Sequence, residues 1–286
     1  MHDAERTEIR LLFESDIPAA MKLKDAAGWN QTEADWRRLL MLEPNGCFGA
    51  VKNGRLIGTT TTTTYKDDLA WIGMVLVDPL NRHQGIATRL METALDYLKD
   101  KVAIVKLDAT SQGKPVYERF GFQVESMVER WIGRPAKSIS YKTPSKSLDS
   151  EVSPELFELD QQAFLADRSK LITYLIQEAI IPPVLCRSED GKLNGYATVR
   201  RGTKAHYIGP VITTEPDQIE NLLDQMLGQL NDSRVYIDVN TECGAPTSVL
   251  ENRGFVKERD LVRMCYGAPG RKTSPFVVAI AGPEIG

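Results

Sequence analysis

Eleven residues, LNRHQGIATRL from Leu80 to Leu90, carry the densest chemical signal in the chain. Arg82 is followed three places on by Gly85 and two further by Ala87. Pro79 precedes the stretch and an apolar helical pattern follows it. A loop that leads into a helix offers unpaired backbone N–H groups and the positive end of the helix dipole, a natural seat for phosphate. Gly85 lets the main chain approach such a ligand closely, and Ala87 keeps the next turn slim. Arg82 adds charge, while His83 and Gln84 contribute backbone amides. Taken alone, the same residues also describe an ordinary helix start with a capping glycine.

The elements around this loop show periodic patterns. AWIGMVLV, ending at Val77, reads as a strand feeding the loop. GIATRLMETALDYLKD reads as an amphipathic helix, with Ile86, Leu90, Ala94, Leu95 and Leu98 near one face. Upstream, SDIPAAMKLKDAA and TEADWRRLLML have helical spacing; Ser15 and Thr32 are candidate N-caps, and Pro18 lies in a first turn. CFGAVKNGRLIGTTTTTTY predicts a hairpin turning at Asn53-Gly54, with the threonine run suited to a strand. Downstream come a strand (AIVKLDAT), a short helix (PVYERF) and a final strand (FQVESMVERW). The order ααβββαβαβ predicts an α/β fold with a mixed sheet.

The pattern occurs twice. Gly54 and Gly58 match Gly191 and Gly195, and Gly73 and Gly209 follow after 15 and 14 residues. Gly121-Phe122 matches Gly254-Phe255, and Arg130 and Arg263 each lie eight residues beyond the phenylalanine. These matches, in order, indicate a tandem duplication. The stretch Arg134 to Pro154 is rich in Ser, Lys and Pro and reads as the linker. The expected domains are therefore residues 1–137 and 138–286.

A chain of 286 residues suits two such domains. The net charge of −4 and pI near 5.6 leave no basic footprint for nucleic acid. Cys47, Cys186, Cys243 and Cys265 form no CxxC pair, and with His2, His83 and His206 they offer no zinc spacing. No metal is expected, and disulfides are not expected either, in keeping with a reducing cytoplasm. The polar stretch Met1 to Arg10 has no signal-peptide core, and no apolar run approaches a membrane span. Phe276 to Ala281 reads as a terminal strand.

VLVDPLNRHQGIATRLM, followed by LDATSQGKPVYERFGF, resembles the GNAT superfamily of N-acetyltransferases over residues 8–133. The whole chain resembles bacterial tandem-GNAT proteins. The resemblance implies two tandem GNAT-like domains, each a mixed, mostly antiparallel sheet flanked by helices. It implies acetyl-CoA as co-substrate, with its pyrophosphate on Arg82, His83, Gln84, Gly85, Ile86, Ala87 and Thr88. In the family the strand before this loop splays from its neighbour and pairs with the pantetheine arm, which here implicates Val75, Leu76 and Val77. A backbone N–H near Val75 would polarise the thioester carbonyl. Tyr117 matches the family's general acid, which protonates the leaving thiolate. Where the family often has Asn and Ala, this chain has Thr110 and Gly113, which with Tyr117 are implied as cofactor-binding, Thr110 as a hydrogen-bond partner of the pantetheine arm in place of the Asn.

The glutamate that many members carry on the central strand is absent from WIGMVLV. A water chain, Asp108, Glu33 or Asp35 are alternative routes for the amine proton. Trp29 and Trp36 either wall a pocket or belong to the core. In the second copy, Gly209 to Leu222 is 13 residues against 17 from Gly73 to Leu90, and the shortfall of four falls at the loop. TTEPDQIEN replaces it with Glu215, Asp217 and Glu220, and Leu250 stands where the first copy has Tyr117. The second copy is therefore expected not to bind CoA. The resemblance implies N-acetyl transfer to a small-molecule primary amine by direct attack; the cysteine pattern, hydropathy and charge lead to the expectation of a cytoplasmic chain without membrane or nucleic-acid partners. The alternative is a CoA-responsive binding or regulatory protein with little transferase activity. Oligomeric state stays open.

Overall fold

The computed structural model describes residues 7–66, 68–135, 153–230, 232–243, 247–267 and 274–286. The Ser/Lys/Pro-rich linker lies almost wholly outside them, as does His2. The chain packs as two compact units. Unit 1 holds the residues up to Leu107 together with Tyr266, Gly267 and Ile285; unit 2 holds Asp108 to Cys265 and the later residues, Gly286 included.

In unit 1 the strands are β1 (Glu8–Leu11), β2 (Cys47–Lys52), β3 (Arg55–Tyr65), β4 (Leu69–Val77) and the first part of β5 (Ile104–Ala109). They lie in that order, antiparallel except for the parallel pair β4–β5. The helices are α1 (Ile17–Ala26), α2 (Glu33–Leu42) and α3 (Ile86–Leu98). Strand β1 has no counterpart in the predicted order: four partly exposed residues at a sheet edge leave too short an alternation to read. The hairpin at Asn53-Gly54 has φ of 52° and 74°, the left-handed pair that a primed turn requires. Thr32 caps α2 by accepting from the Asp35 N–H, and Asp35 accepts from the Thr32 N–H at 2.7 Å. Ser15 is not the cap of α1; it sits within a 3-10 turn, Glu14–Asp16, and Asp16 holds the cap position. Ile86 and Leu90 of α3 pack on Phe48, Ala50 and Ile57 of the sheet.

Unit 2 contains α4 (Lys114–Arg119), β6 (Gln123–Gly133), α5 (Pro154–Phe164), α6 (Ser169–Gln177), β7 (Val184–Arg187), β8 (Leu193–Arg200), β9 (His206–Thr213) and α7 (Ile219–Gly228). It continues with β10 (Val235–Asn240), α8 (Thr247–Glu251), β11 (Val256–Gly267, counted here to Cys265) and β12 (Val277–Ala279). The strand order is β11-β6-β10-β12-β9-β8-β7. Leu222, Leu223 and Met226 of α7 bury against Val184, Ala197, Ile208 and Ile237 in a continuous apolar core.

The compact units and the sequence repeats divide the chain differently. By sequence β6 closes the first repeat, yet it lies between β10 and β11, both from the second. Val235 to Asn240 pair with Gly133 to Val128, and Val256 to Cys265 pair with Ile132 to Gln123. The boundary expected at residue 137 follows the sequence repeats, whereas the compact packing divides between Leu107 and Asp108.

Candidate active site

Strand β4 departs from regularity where the loop chemistry begins. Thr59 pairs with Leu76 and Thr61 with Gly73, so Met74 and Val75 together face Thr60 in a β-bulge. Met74 has φ 48°, a left-handed value unusual for a non-glycine residue. The Thr59 hydroxyl donates to the Met74 carbonyl at 2.8 Å and holds the bulge in place. On its other side β4 pairs with β5 only at Leu69, Ala70 and Trp71; the register stops at Trp71–Lys106 while β4 runs on to Val77. Val75, Leu76 and Val77 therefore lie on a stretch of strand whose β5-facing edge has left the sheet.

The chain then turns through a 3-10 turn, Pro79–Asn81, capped by the Asp78 carboxylate, which accepts from the Leu80 N–H at 3.0 Å. Arg55 pairs with the same carboxylate at 3.1 Å. Arg82 folds back so that its Nε donates to the Val77 carbonyl at 3.3 Å. His83 and Gly85 have φ of 61° and 76°. A Cβ on Gly85 would meet nothing within 4 Å, so its glycine serves the left-handed backbone and an open approach rather than packing. Among the described residues, no side chain caps the N–H groups at the start of α3, from Ile86 through Ala87 to Thr88. The side chains of Arg82, His83, Gln84 and Thr88 are exposed, and Ile86 is buried beneath them. Unit 1 thus brings Val75–Val77 and Arg82–Thr88 into one strand–loop–helix corner with an exposed helix start.

Thr110, Gly113 and Tyr117 belong to unit 2. The Thr110 hydroxyl accepts from the Gly113 N–H at 3.2 Å, so it shapes the turn into α4. Tyr117 is 9% exposed, packs edge-on to Phe122 with centroids 6.2 Å apart, and lies over Gly113. A Cβ at 113 would come within 2.9 Å of the ring. Burial pushes the phenol well above its ordinary range, and no described residue hydrogen-bonds its hydroxyl.

The candidate carboxylates are engaged elsewhere. Both Asp108 oxygens accept from Arg263 at 2.9 Å inside unit 2. Asp35 is tied to Thr32 and Arg38, and Glu33 pairs with Arg37 at 3.0 Å on the surface. Trp36 is a buried core residue and Trp29 is half-buried. Sequence reasoning missed Thr59 and Asp78; the Asp-Pro step at 78–79 was a legible cap signal, whereas the threonine run gave no hint of which hydroxyl would pin the bulge.

The second copy shows what the loop contributes. In the first repeat four residues, Arg82 to Gly85, separate the 3-10 turn from α3; in the second, α7 follows the 3-10 turn Pro216–Gln218 directly at Ile219. Glu220 is drawn into an ion pair with Arg253, and Leu250 is fully buried in the core beside Phe255. Among the described residues, no group of His, Cys, Asp or Glu could hold a metal ion, and no helix is long and apolar enough to cross a membrane.

Comparison with known proteins agrees with this doubling. The acetyltransferase (GNAT) family pattern matches residues 12–122, and an acetyltransferase (GNAT) domain pattern matches residues 156–275. The uncharacterized N-acetyltransferase YitH of Bacillus subtilis is 26% identical over 98% of both chains. The holothin acyltransferase of a Pseudoalteromonas species is 22% identical over 91% of this chain and 88% of its own. A putative acetyltransferase from Pyrococcus horikoshii shares the fold, with a TM-score of 0.84, 22% identity and coverage of 100% of this chain and 99% of that one. The doubled strand–loop–helix architecture and the two successive matches identify the chain as a member of the GNAT acetyltransferase family, an acyltransferase with two GNAT domains in tandem.

Proposed function

We propose that the protein transfers an acetyl group from acetyl-CoA to the primary amine of a small molecule, and that the first repeat alone receives the co-substrate. The observation that carries the reading is the behaviour of β4: it leaves β5 after Trp71, bulges at Met74–Val75 and runs into an uncapped helix start. The freed edge of Val75–Val77 suits an extended amide-bearing arm, as a peptide adds to a sheet. The N–H groups from Gly85 to Thr88 and the Arg82 guanidinium suit a pyrophosphate.

In this reading the neutral amine attacks the thioester carbonyl carbon, with the oxygen's developing charge held by the Val75 N–H. The C–S bond breaks, the thiolate takes the Tyr117 phenol proton, and the ammonium proton leaves to solvent and restores the phenol in turn. Burial keeps Tyr117 protonated through neutral pH. Because Asp108 and Asp35 are held in buried ion pairs, neither is assigned as base. Relatives named N-acetyltransferase and acyltransferase support acyl transfer as the reaction class.

The test is calorimetric titration with acetyl-CoA, followed by thiol release with a panel of primary amines. Tyr117→Phe is expected to lower turnover by about 100-fold or more while acetyl-CoA still binds. Absence of acetyl-CoA binding would defeat the reading. Binding without release on any amine would favour a CoA-responsive regulatory protein.

A further inference from the structure

Within unit 2, Arg259, on the sheet face that bears Arg130, has no hydrogen-bond or ionic partner among the described residues. Arg130 on β6 is closed off by Asp238 of β10, with contacts of 2.7 and 2.6 Å, and its guanidinium lies 5.0 Å from the Tyr236 ring. Tyr207 donates to the same Asp238 at 3.0 Å. Directly opposite Arg130 in the antiparallel register stands Arg259 of β11. Cross-strand partners share a face at close range, and like charges so placed are unfavourable. No described residue hydrogen-bonds the buried Nε of Arg259 or pairs ionically with its guanidinium. Glu258, the extra residue at the β11 bulge, is taken by the Tyr236 hydroxyl at 3.0 Å. Burial first, and then the Arg130 charge, lower the Arg259 pKa.

The internal repeat adds a second observation. Arg130 and Arg263 are equivalent, so four places before each lie the equivalent residues Ser126 and Arg259. Ser126 faces Arg263 as Arg259 faces Arg130. The Ser126 hydroxyl is also buried without a partner. Each paired arginine thus has a neighbour with an unmet polar atom, and in one of the two places that neighbour is a cation. α5, α6 and α7 pack on β7, β8 and β9, while the outer part of β11, around Arg259, is largely exposed.

We propose that Arg259 anchors a small organic anion, a carboxylate or phosphate monoester, on the β6–β11 face of unit 2. A guanidinium fork receives such groups at two points, the added negative charge offsets the Arg259–Arg130 repulsion, and the Tyr236 ring supplies an aromatic flank. This proposal uses none of the residues Arg82–Thr88 and does not depend on the acetyl-transfer reading.

The experiment uses the full chain carrying nitrogen-15 in its arginine side chains. Inorganic phosphate, acetate and chloride are titrated at constant ionic strength over a millimolar series. The expected result is a saturable shift of one Nε–H signal with phosphate or acetate but not chloride, that signal being the one missing from Arg259→Gln. The tighter of the two anions identifies the ligand class. No saturable shift of that signal overturns the proposal, even if phosphate perturbs residues of the first-repeat loop. Urea unfolding of Arg259→Met without added anion gives an independent reading. A midpoint equal to or above that of the parent chain supports a side chain kept for a ligand. A clearly lower midpoint marks Arg259 as structural and overturns it.

Discussion

Arg130 and Asp238 form a two-point ion pair, Nε to Oδ1 at 2.7 Å and Nη2 to Oδ2 at 2.6 Å, across 108 residues of chain. The arginine comes from β6, the last strand of the first repeat, and the aspartate from β10, the fourth strand of the second. Arg263 and Asp108 make the reciprocal pair, with both contacts at 2.9 Å. The pairs are equivalent under the duplication, and each joins one repeat to the other. That is the side-chain signature of the exchange that places β6 between β10 and β11.

Asp238→Asn should destabilise unit 2 by about 3–5 kcal/mol, because it leaves the Arg130 guanidinium buried without its counter-charge. Urea denaturation measures the loss. An apolar double replacement, Arg130→Met with Asp238→Leu, should recover most of it, since removing both charges also removes the desolvation cost. Equal instability of single and double variants would show that the uncompensated charge is not the cause.

Gly85→Val separates folding from binding. The site has room for the side chain, with nothing within 4 Å of a Cβ, but φ is 76°. The expected stability cost is the left-handed strain of about 1–2 kcal/mol. The expected loss in acetyl-CoA affinity is about tenfold or more, equal to 1.4 kcal/mol or more. Thermal unfolding and calorimetry read the two effects independently; unchanged affinity would show that Gly85 takes no part in acetyl-CoA binding.

Gly113→Ala tests the seating of Tyr117. The new methyl would lie 2.9 Å from Cε2 and 3.4 Å from both Cζ and the hydroxyl, so the ring must shift. Turnover should fall much as in Tyr117→Phe, and the double variant should lose little more, because both changes remove one function. Fully additive losses would mean that Gly113 acts in some other way.

His206 supplies a pH dependence of stability. Burial first, and the Arg201 charge second, hold its folded pKa below the ordinary 6.5. The unfolded chain therefore takes up a proton near that value which the folded chain resists. This contribution is fully present above pH 6.5 and is lost as pH falls from there through the lower folded value. The difference in stability between the parent chain and His206→Gln should grow more favourable to the variant on acidification. A pH-independent difference would contradict the assignment.

Much of the fold is legible in the residue pattern alone. The switch from helical to strand periodicity, the Asn53-Gly54 turn and the Thr32 cap are local, and each appears where its residues predict it. The glycine of the loop and the four-residue shortening in the second copy were legible for the same reason: backbone requirements within a few residues write themselves into residue type. The positions that escaped are those whose role depends on something distant. Thr59 looks like its neighbours in the run until the Met74 carbonyl is placed beside it. Asp108 read as a possible base until Arg263, 155 residues later, claimed both its oxygens.

The sequence by itself determined that the chain is a doubled α/β unit, that only the first copy keeps the glycine loop and the tyrosine, and where most elements begin and end. Tertiary structure alone decided which strand lies beside which. Alternating side chains specify which face of a strand is buried, but its backbone edges accept any strand of suitable length and register. Two repeats with equivalent strands β6 and β11 can thus exchange them without altering a local signal; the ladders of β6 with β10 and β11 and the crossed pairs Arg130–Asp238 and Arg263–Asp108 record the exchange.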